Sequence, residues 1–475
     1  MGLISTGEKY AIASRGEHAL EGESFWTLKD EIDRTWMDGY KDLPDMNNLE
    51  ADGKDNNDEK EGSPFVPSSL FNRGPDTLAA FAEVNMRCGG CGAKVGASTL
   101  TRVLDAVHKR RLLRGANFKP KKIDPDDAAI VPLPKGSSGG AMIHTIDFFR
   151  SFIADPYIFG KIAAVHALSD IHAMGAVAMN VLALAVVPFA ATESMTEHTL
   201  IDMLSGASDI LDEENCELIG GHTCEGAELA LGFAVNGFFS DPKLLLRKQG
   251  GRVGDKIILT KPIGTGALFA ADMRAKCHGT HVEEALSSMV MSNRIASQAA
   301  MEFVNKDGGR DNDIHSATDI TGFGLIGHLL EMLVSNNDAK DDMGNPLEKI
   351  SATLFMDQIP FLKGGEEAVK NGIVSSLYRE NFKSRRAIAN HEDALRMFPI
   401  KYPLLFDPQT AGGLLFFVSP SVCDYFLNRL KNEYGIRNAS LIGEITKFSG
   451  KPLDNCDLNG SCSGNQIADR ILIEK

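Results

Sequence analysis

The sequence predicts a layered protein of mixed strands and helices, α+β or α/β in class, with two halves of similar size and element content. Short apolar runs bounded by Gly, Pro or Asp alternate with longer segments of helical spacing. At 475 residues the chain is long enough for roughly three units of about 150 residues. Its 43% hydrophobic and 24% charged residues are those of an ordinary globular protein.

A formal net charge of -15 argues against a nucleic-acid partner, because lysine and arginine drive that binding by displacing counterions from phosphates. A polyanionic small substrate would need metal ions instead. Residues 176–187, the longest apolar run, stop at Pro188 and fall short of the roughly 20 residues that cross a bilayer. They read as a buried strand, with no membrane partner. Residues 1–30 show no targeting signal, and eight scattered cysteines suit a reducing compartment, so the expected location is cytoplasmic.

Taken in order, residues 22–40 hold both tryptophans, Trp26 and Trp36, among charges at mostly helical spacing, and predict one short amphipathic helix. Residues 42–63 are acidic and nearly free of large apolar groups, which predicts a disordered linker. Next comes Arg87-Cys88-Gly89-Gly90-Cys91-Gly92-Ala93-Lys94, with Gly96 just beyond. So many glycines exclude a core position and predict a mobile loop, here one delivering Cys91 and Lys94 to a nucleotide. Ser98 can cap a following helix whose Leu100, Val103, Leu104 and Val107 share one face.

Strands are expected at residues 128–133 and 141–146, with Asp127 and Asp147 at their ends. Asp155-Pro156 opens a helix to about Met174, and Phe159, Ala163, His166, Asp170 and Ala173 lie on one face of it. A strand at 179–187, a helix at 194–214 and a strand at 229–238 follow. Residues 243–255 read as a connection between domains. The second half opens with a strand at 256–260 and a turn at 262–266. It continues with a long helix at 283–305 and ends near a strand at 414–418.

Asp127, Asp147, Asp170 and Asp319 each sit beside or within an apolar stretch. A buried carboxylate is costly unless it is paired or metal-bound. Four of them, with no run of arginines nearby, point to magnesium, which takes hard oxygen ligands and shares them with phosphates. Gly322, Gly324 and Gly327 form a GxGxxG, but the polar residues before it speak against a dinucleotide fold and for a turn with Asp319 at a helix head. Gly220-Gly221-His222-Thr223 reads as a turn whose amides approach phosphate or ribose. Cys88 and Cys91 form a CxxC with no second pair, which excludes a zinc site of the usual spacing. Lys94 can raise the thiolate fraction of a nucleophilic cysteine.

Together these segments resemble the selenophosphate synthetases, the selenide, water dikinase family, over residues 87–445. The matching motifs are CGAK from Cys91, DDAA from Asp126, TIDFF from Thr145, the stretch ending in VHALSDIHAMG at Gly175, GGHT, LTKPIG, TDITGFGLIGH and DPQTAGGL. The resemblance implies a two-domain α+β fold like that of aminoimidazole ribonucleotide synthetase, dimeric with an intersubunit β-barrel. It implies that ATP, selenide and water give selenophosphate, orthophosphate and AMP. By position, Cys91 and Lys94 match catalytic residues. Asp127, Asp170 and Asp319 match Mg²⁺ ligands, while Lys94, Asp126, Asp147, Asp170, Gly220, Gly221 and His222 match nucleotide contacts. The implied partners are selenide, ATP and a second copy of the chain, with room for a selenium-delivery protein. Other ATP-using enzymes of the superfamily and a non-catalytic regulatory paralogue are the alternatives.

Two departures stand out. Ala93 occupies the place where many relatives carry a second cysteine before the lysine, and Cys88 lies upstream instead. Residues 4–44 are similar to the tail of an NADH-dehydrogenase-like flavoprotein domain, read as a remnant or the product of a truncated gene model. The expected organisation is an appendage at 1–45, a linker at 46–75, an ATP-binding domain at 76–248 with its loop at 86–97, a second α+β domain at 249–450 and a tail at 451–475.

Overall fold

The structure, a computed structural model, describes residues 2–7, 10–15, 18–22, 27, 89–90, 103, 126–133, 139–190, 192–304, 312–339, 347–448 and 470–475. The chain divides into two compact units, Met1–Leu78 and Ala79–Lys475. In the first, strands β1 (Gly2–Gly7), β2 (Tyr10–Arg15) and β3 (His18–Gly22) form an antiparallel meander. These strands were not expected, because Gly2–Gly7, Tyr10–Arg15 and His18–Gly22 contain few large apolar residues. The helix expected at 22–40 lies outside the described residues apart from Thr27, which is helical. The linker at 46–75 and the helix capped by Ser98 also lie outside them, Val103 excepted.

The first half of the larger unit is a five-stranded sheet. Its strands are β4 (Ala129–Pro132), β5 (Ala141–Arg150), β6 (Val177–Pro188), β7 (Glu217–Gly226) and β8 (Ala230–Phe239), in the order β4-β5-β8-β6-β7. Every pair is antiparallel except β6 and β7, which run parallel because the helix between them crosses back over the sheet. Strand β5 runs past Asp147 to Arg150, so that carboxylate lies within the strand rather than at its end.

Helix α1 (Pro156–Ala173) starts where expected: Asp155 accepts the amide of Ile158 at 3.0 Å, and Pro156 fills the first position, where no amide is needed. It packs beside α2 (Glu193–Glu214), and the two cross through facing glycines. A Cβ on Gly160 would lie 1.9 Å from Met203 O, and one on Gly206 1.9 Å from Tyr157 O. Only glycine permits that approach.

Both helices cover one face of the sheet. The other face is open: Ile146 is 65% exposed, Leu182 42% and Val177 66%. The apolar run at 176–187 is therefore a half-exposed strand rather than a buried one, because nothing among the described residues packs on its outer side.

The second half is built on β9 (Lys256–Leu259), β10 (Ile314–Asp319), β11 (Ile350–Phe355), β12 (Leu414–Val418), β13 (Ser440–Lys447) and β14 (Ile471–Glu474). Their order is β10-β12-β9-β13-β11-β14, with only β11 and β14 parallel. The expected tail thus ends in a strand of this sheet. Its core includes Tyr402, Phe406, Leu415 and Phe417, all fully buried.

The helix expected at 283–305 is two, α4 (Gly279–Met289) and α5 (Arg294–Met301). Buried Asn293 breaks it by donating to Ser169 Oγ and Gly412 O, each at 2.9 Å. Two further helices, α3 (Thr265–Asp272) and α6 (Gly324–Asp338), flank the site. Strand β10 does precede the GxGxxG, contrary to expectation. It is nevertheless an edge strand antiparallel to β12, so no parallel βαβ unit results. Among the described residues, no helix is long and apolar enough to cross a membrane.

Candidate active site

Three elements bring three carboxylates together. Asp127 lies just ahead of β4, Asp170 one turn before the end of α1 and Asp319 at the last position of β10. Each offers an oxygen, and these atoms all lie within 4.8 Å of one another. Asp127 accepts from Thr318 Oγ1 at 2.8 Å, and Asp170 accepts from Thr145 Oγ1. Asp319 Oδ2 is buried with no hydrogen-bond partner among the described residues.

Charge crowding leaves its mark on the cluster. Burial, with Asp319 adding repulsion, pushes Asp127 up to about 6 although Lys248 opposes it. Burial followed by Asp319, Asp147 and Asp127 drives Asp170 well above the usual carboxylate range. Three buried carboxylates so close repel one another, and a divalent cation relieves that repulsion directly. The donor set fits magnesium: all hard oxygens, one of them orphaned.

Although no run of arginines lies near these carboxylates in sequence, two cations reach the acidic segment from elsewhere in the chain. Arg247 Nη1 lies 2.7 Å from Asp126 Oδ2, and Lys248 Nζ lies 2.9 Å from Asp127 Oδ1. Both come from the connecting segment, more than a hundred residues away in sequence. Asp126, expected at the nucleotide, also accepts the Lys248 amide at 3.3 Å and so ties that connection to the cluster. Lys261 was missed as well. Its buried Nζ donates to Ala411 O at 3.1 Å and to Met291 O, and burial pushes it down to about 7 although Asp319 opposes this. Its place in the LTKPIG motif after an apolar run was the available sign.

Asp147 joins the cluster's edge, where it contributes to the upward shift of Asp170. Gly220, Gly221, His222 and Thr223 do not form a turn. They lie within β7, which among the described residues is an edge strand paired only with β6, and Gly220 sits where the register slips. The strand persists because β6 templates it in parallel for ten residues, and Gly221 lets it close onto Ala183 O. No hydrogen bond or ion pair among the described residues joins them to Asp127, Asp170 or Asp319.

Cys88, Cys91 and Lys94 lie outside the described residues. Gly89 and Gly90 of their loop are described, and both pack against the site. A Cβ on Gly89 would lie 2.5 Å from Ser151 O, and one on Gly90, at φ +56°, 2.5 Å from Thr410 Oγ1. Glycine is required at each by contact, and at Gly90 by conformation as well.

Thr410 belongs to the 407–413 loop, which Gln409 fastens to the start of α3. Gln409 Oε1 accepts the amides of Gly264 and Thr265 at 2.8 and 3.0 Å. Gly90 thus meets the 407–413 loop, and Gly412 of that loop approaches Ile320 O, next to Asp319.

Comparison with known proteins identifies the family of the chain. Residues 125–239 match the AIR synthase related protein, N-terminal domain, and residues 252–451 its C-terminal domain. Curated relatives include a selenide, water dikinase of Bdellovibrio bacteriovorus, 32% identical over 75% of this chain and 93% of its own length. That of Nitrosomonas eutropha is 30% identical over 78% and 96%, and that of Pelobacter propionicus 35% identical over 75% and 93%. The chain belongs to the selenide, water dikinase family and has its two-domain, AIR synthase-related α+β fold.

Proposed function

We propose that this protein makes selenophosphate, converting ATP, selenide and water to selenophosphate, orthophosphate and AMP. The observation that carries the reading is the convergence of Asp127, Asp170 and Asp319, with Asp319 Oδ2 left unpartnered. These three hold Mg²⁺, which when bound neutralises charge on the substrate's phosphates. Asp126, Asp147, Gly220, Gly221 and His222 serve the nucleotide. The chain's own work is positioning: Lys94 offers its ammonium to the transferring phosphate, and Cys91 guides or holds selenium. Gly89 and Gly90, packed on Phe152 and Thr410, fix one end of the glycine loop. Residues 76–248 and 249–450 act as the two domains, in the cytoplasm.

The protein works as a homodimer. The open face of the five-stranded sheet supports this, because Ile146, Val177 and Leu182 are exposed on a sheet whose β7 edge is unpaired among the described residues.

Incubation of ATP and Mg²⁺ with and without selenide tests the function. The expected products are selenide-dependent AMP and a selenium-bound phosphate, both lost in Cys91→Ala. Release of ADP in place of AMP would assign the protein to another ATP-using activity of the superfamily. Undiminished product in Cys91→Ala would remove the role given to that thiol.

A further inference from the structure

Helix α1 carries a fully buried histidine that the proposed chemistry does not use. His166 Nδ1 accepts the amide N–H of Ala411 at 3.1 Å, across 245 residues of sequence. Its Nε2 stands 3.7 Å from Asp147 Oδ2, and the Phe149 ring packs edge-on at 5.2 Å to fix the imidazole plane. A nitrogen that accepts an amide hydrogen carries no proton of its own. The ring proton therefore sits on Nε2, the side facing Asp147.

Ala411 makes this contact consequential. It is a non-glycine residue at φ +51°, a conformation that persists only where its surroundings hold it. His166 holds its amide, and Lys261 Nζ holds its carbonyl. Its neighbour Thr410 is the surface on which Gly90 rests. One imidazole thus connects Asp147 in the first half to the loop in the second half that supports the glycine segment.

We propose that His166 is a positioning residue, steering Asp147 electrostatically from Nε2 and fixing the 407–413 loop through Nδ1, so that the nucleotide and Gly90 meet in register. This rests on the proposed role of Asp147 at the nucleotide. A histidine that merely satisfied one buried amide would need only Nδ1, and that difference makes the two roles separable.

The substitution His166→Asn isolates them, because its amide oxygen can replace Nδ1 while nothing replaces Nε2. The expected result is an unchanged thermal midpoint, ATP binding weakened about three- to tenfold by calorimetry, and a rise in KM for ATP larger than any fall in kcat. His166→Leu, which removes both contacts, should weaken ATP binding by more than about tenfold and lower the midpoint. Nitrogen-15 histidine spectra of the wild type, assigned by the signal missing from His166→Asn, should show the proton on Nε2. Wild-type ATP affinity in His166→Asn, or a proton on Nδ1, overturns the proposal. A wild-type protein that bound no ATP would defeat the parent reading of the site, and the tautomer would then decide this one alone.

Discussion

Lys248 Nζ lies 2.9 Å from both Asp127 Oδ1 and Glu331 Oε2, so one buried ammonium spans the acidic cluster and the helix α6 behind it. Burial works against its charge, yet Asp127 and Glu331 together raise its affinity for the proton. The same lysine holds Glu331 down to about 2 against the effect of that residue's burial.

Lys248→Met should therefore leave Asp127 buried without its counter-charge. The expected loss of stability is about 3–5 kcal/mol, as for other broken buried pairs. Urea denaturation with metal removed measures it, and a loss below about 1 kcal/mol would mean that Asp127 finds water or another partner.

Asp319→Asn keeps the shape of the cluster and removes one carboxylate charge. Magnesium affinity should fall about tenfold or more, equivalent to about 1.4 kcal/mol. Isothermal titration with Mg²⁺ alone reads this directly, and a wild-type titration curve would exclude Asp319 as a ligand.

Asp407 gives a pH dependence of known sign. Burial pushes it up to about 7 despite the opposing pull of the Ala267 amide and Gln409. Between the ordinary value of 3.8 and about 7 the folded protein keeps a proton that the unfolded chain has released. Stability from this group is thus fully present at low pH and is lost as pH rises through that window, by up to about 4 kcal/mol. Asp407→Asn should flatten the fall, as measured by urea midpoints at pH 5 and pH 7.5 in chelator. An equally steep fall in the variant would place its origin elsewhere.

Ile146→Asp puts a charge on the open face of the five-stranded sheet, where Ile146 is 65% exposed and little buried packing is lost. Its thermal midpoint should barely move, while sedimentation should shift from dimer to monomer. A dimer of undiminished affinity would locate the subunit contact on a different surface.

What was legible in the sequence follows from what is local. The start of α1 was readable because Asp155 and Pro156 are adjacent and act on the next few amides. Strand β12 was readable because its apolar run is bounded on both sides. The carboxylates could be picked out by their apolar settings, although their convergence could not. Lys248 was hidden because its partner is Asp127, far away in sequence, and a lysine in a connecting segment looks like any solvated charge. GGHT looked like a turn because two glycines usually mean one, whereas here pairing with β6 imposes a strand on them. The break between α4 and α5 depends on Asn293 reaching Ser169 and Gly412, and no property of residues 283–305 alone announces it.

The placement of β14 bears on the order in which the protein takes shape during synthesis. Strands β4 to β8 occupy one continuous stretch, Ala129–Phe239, so the first sheet can assemble while translation continues. The second sheet waits longer: β11 stays without its β14 neighbour until Ile471–Glu474 has left the ribosome. Until then Ala352 and Leu354 sit beside an open parallel edge, a window in which a chaperone or a second nascent chain can compete for that place.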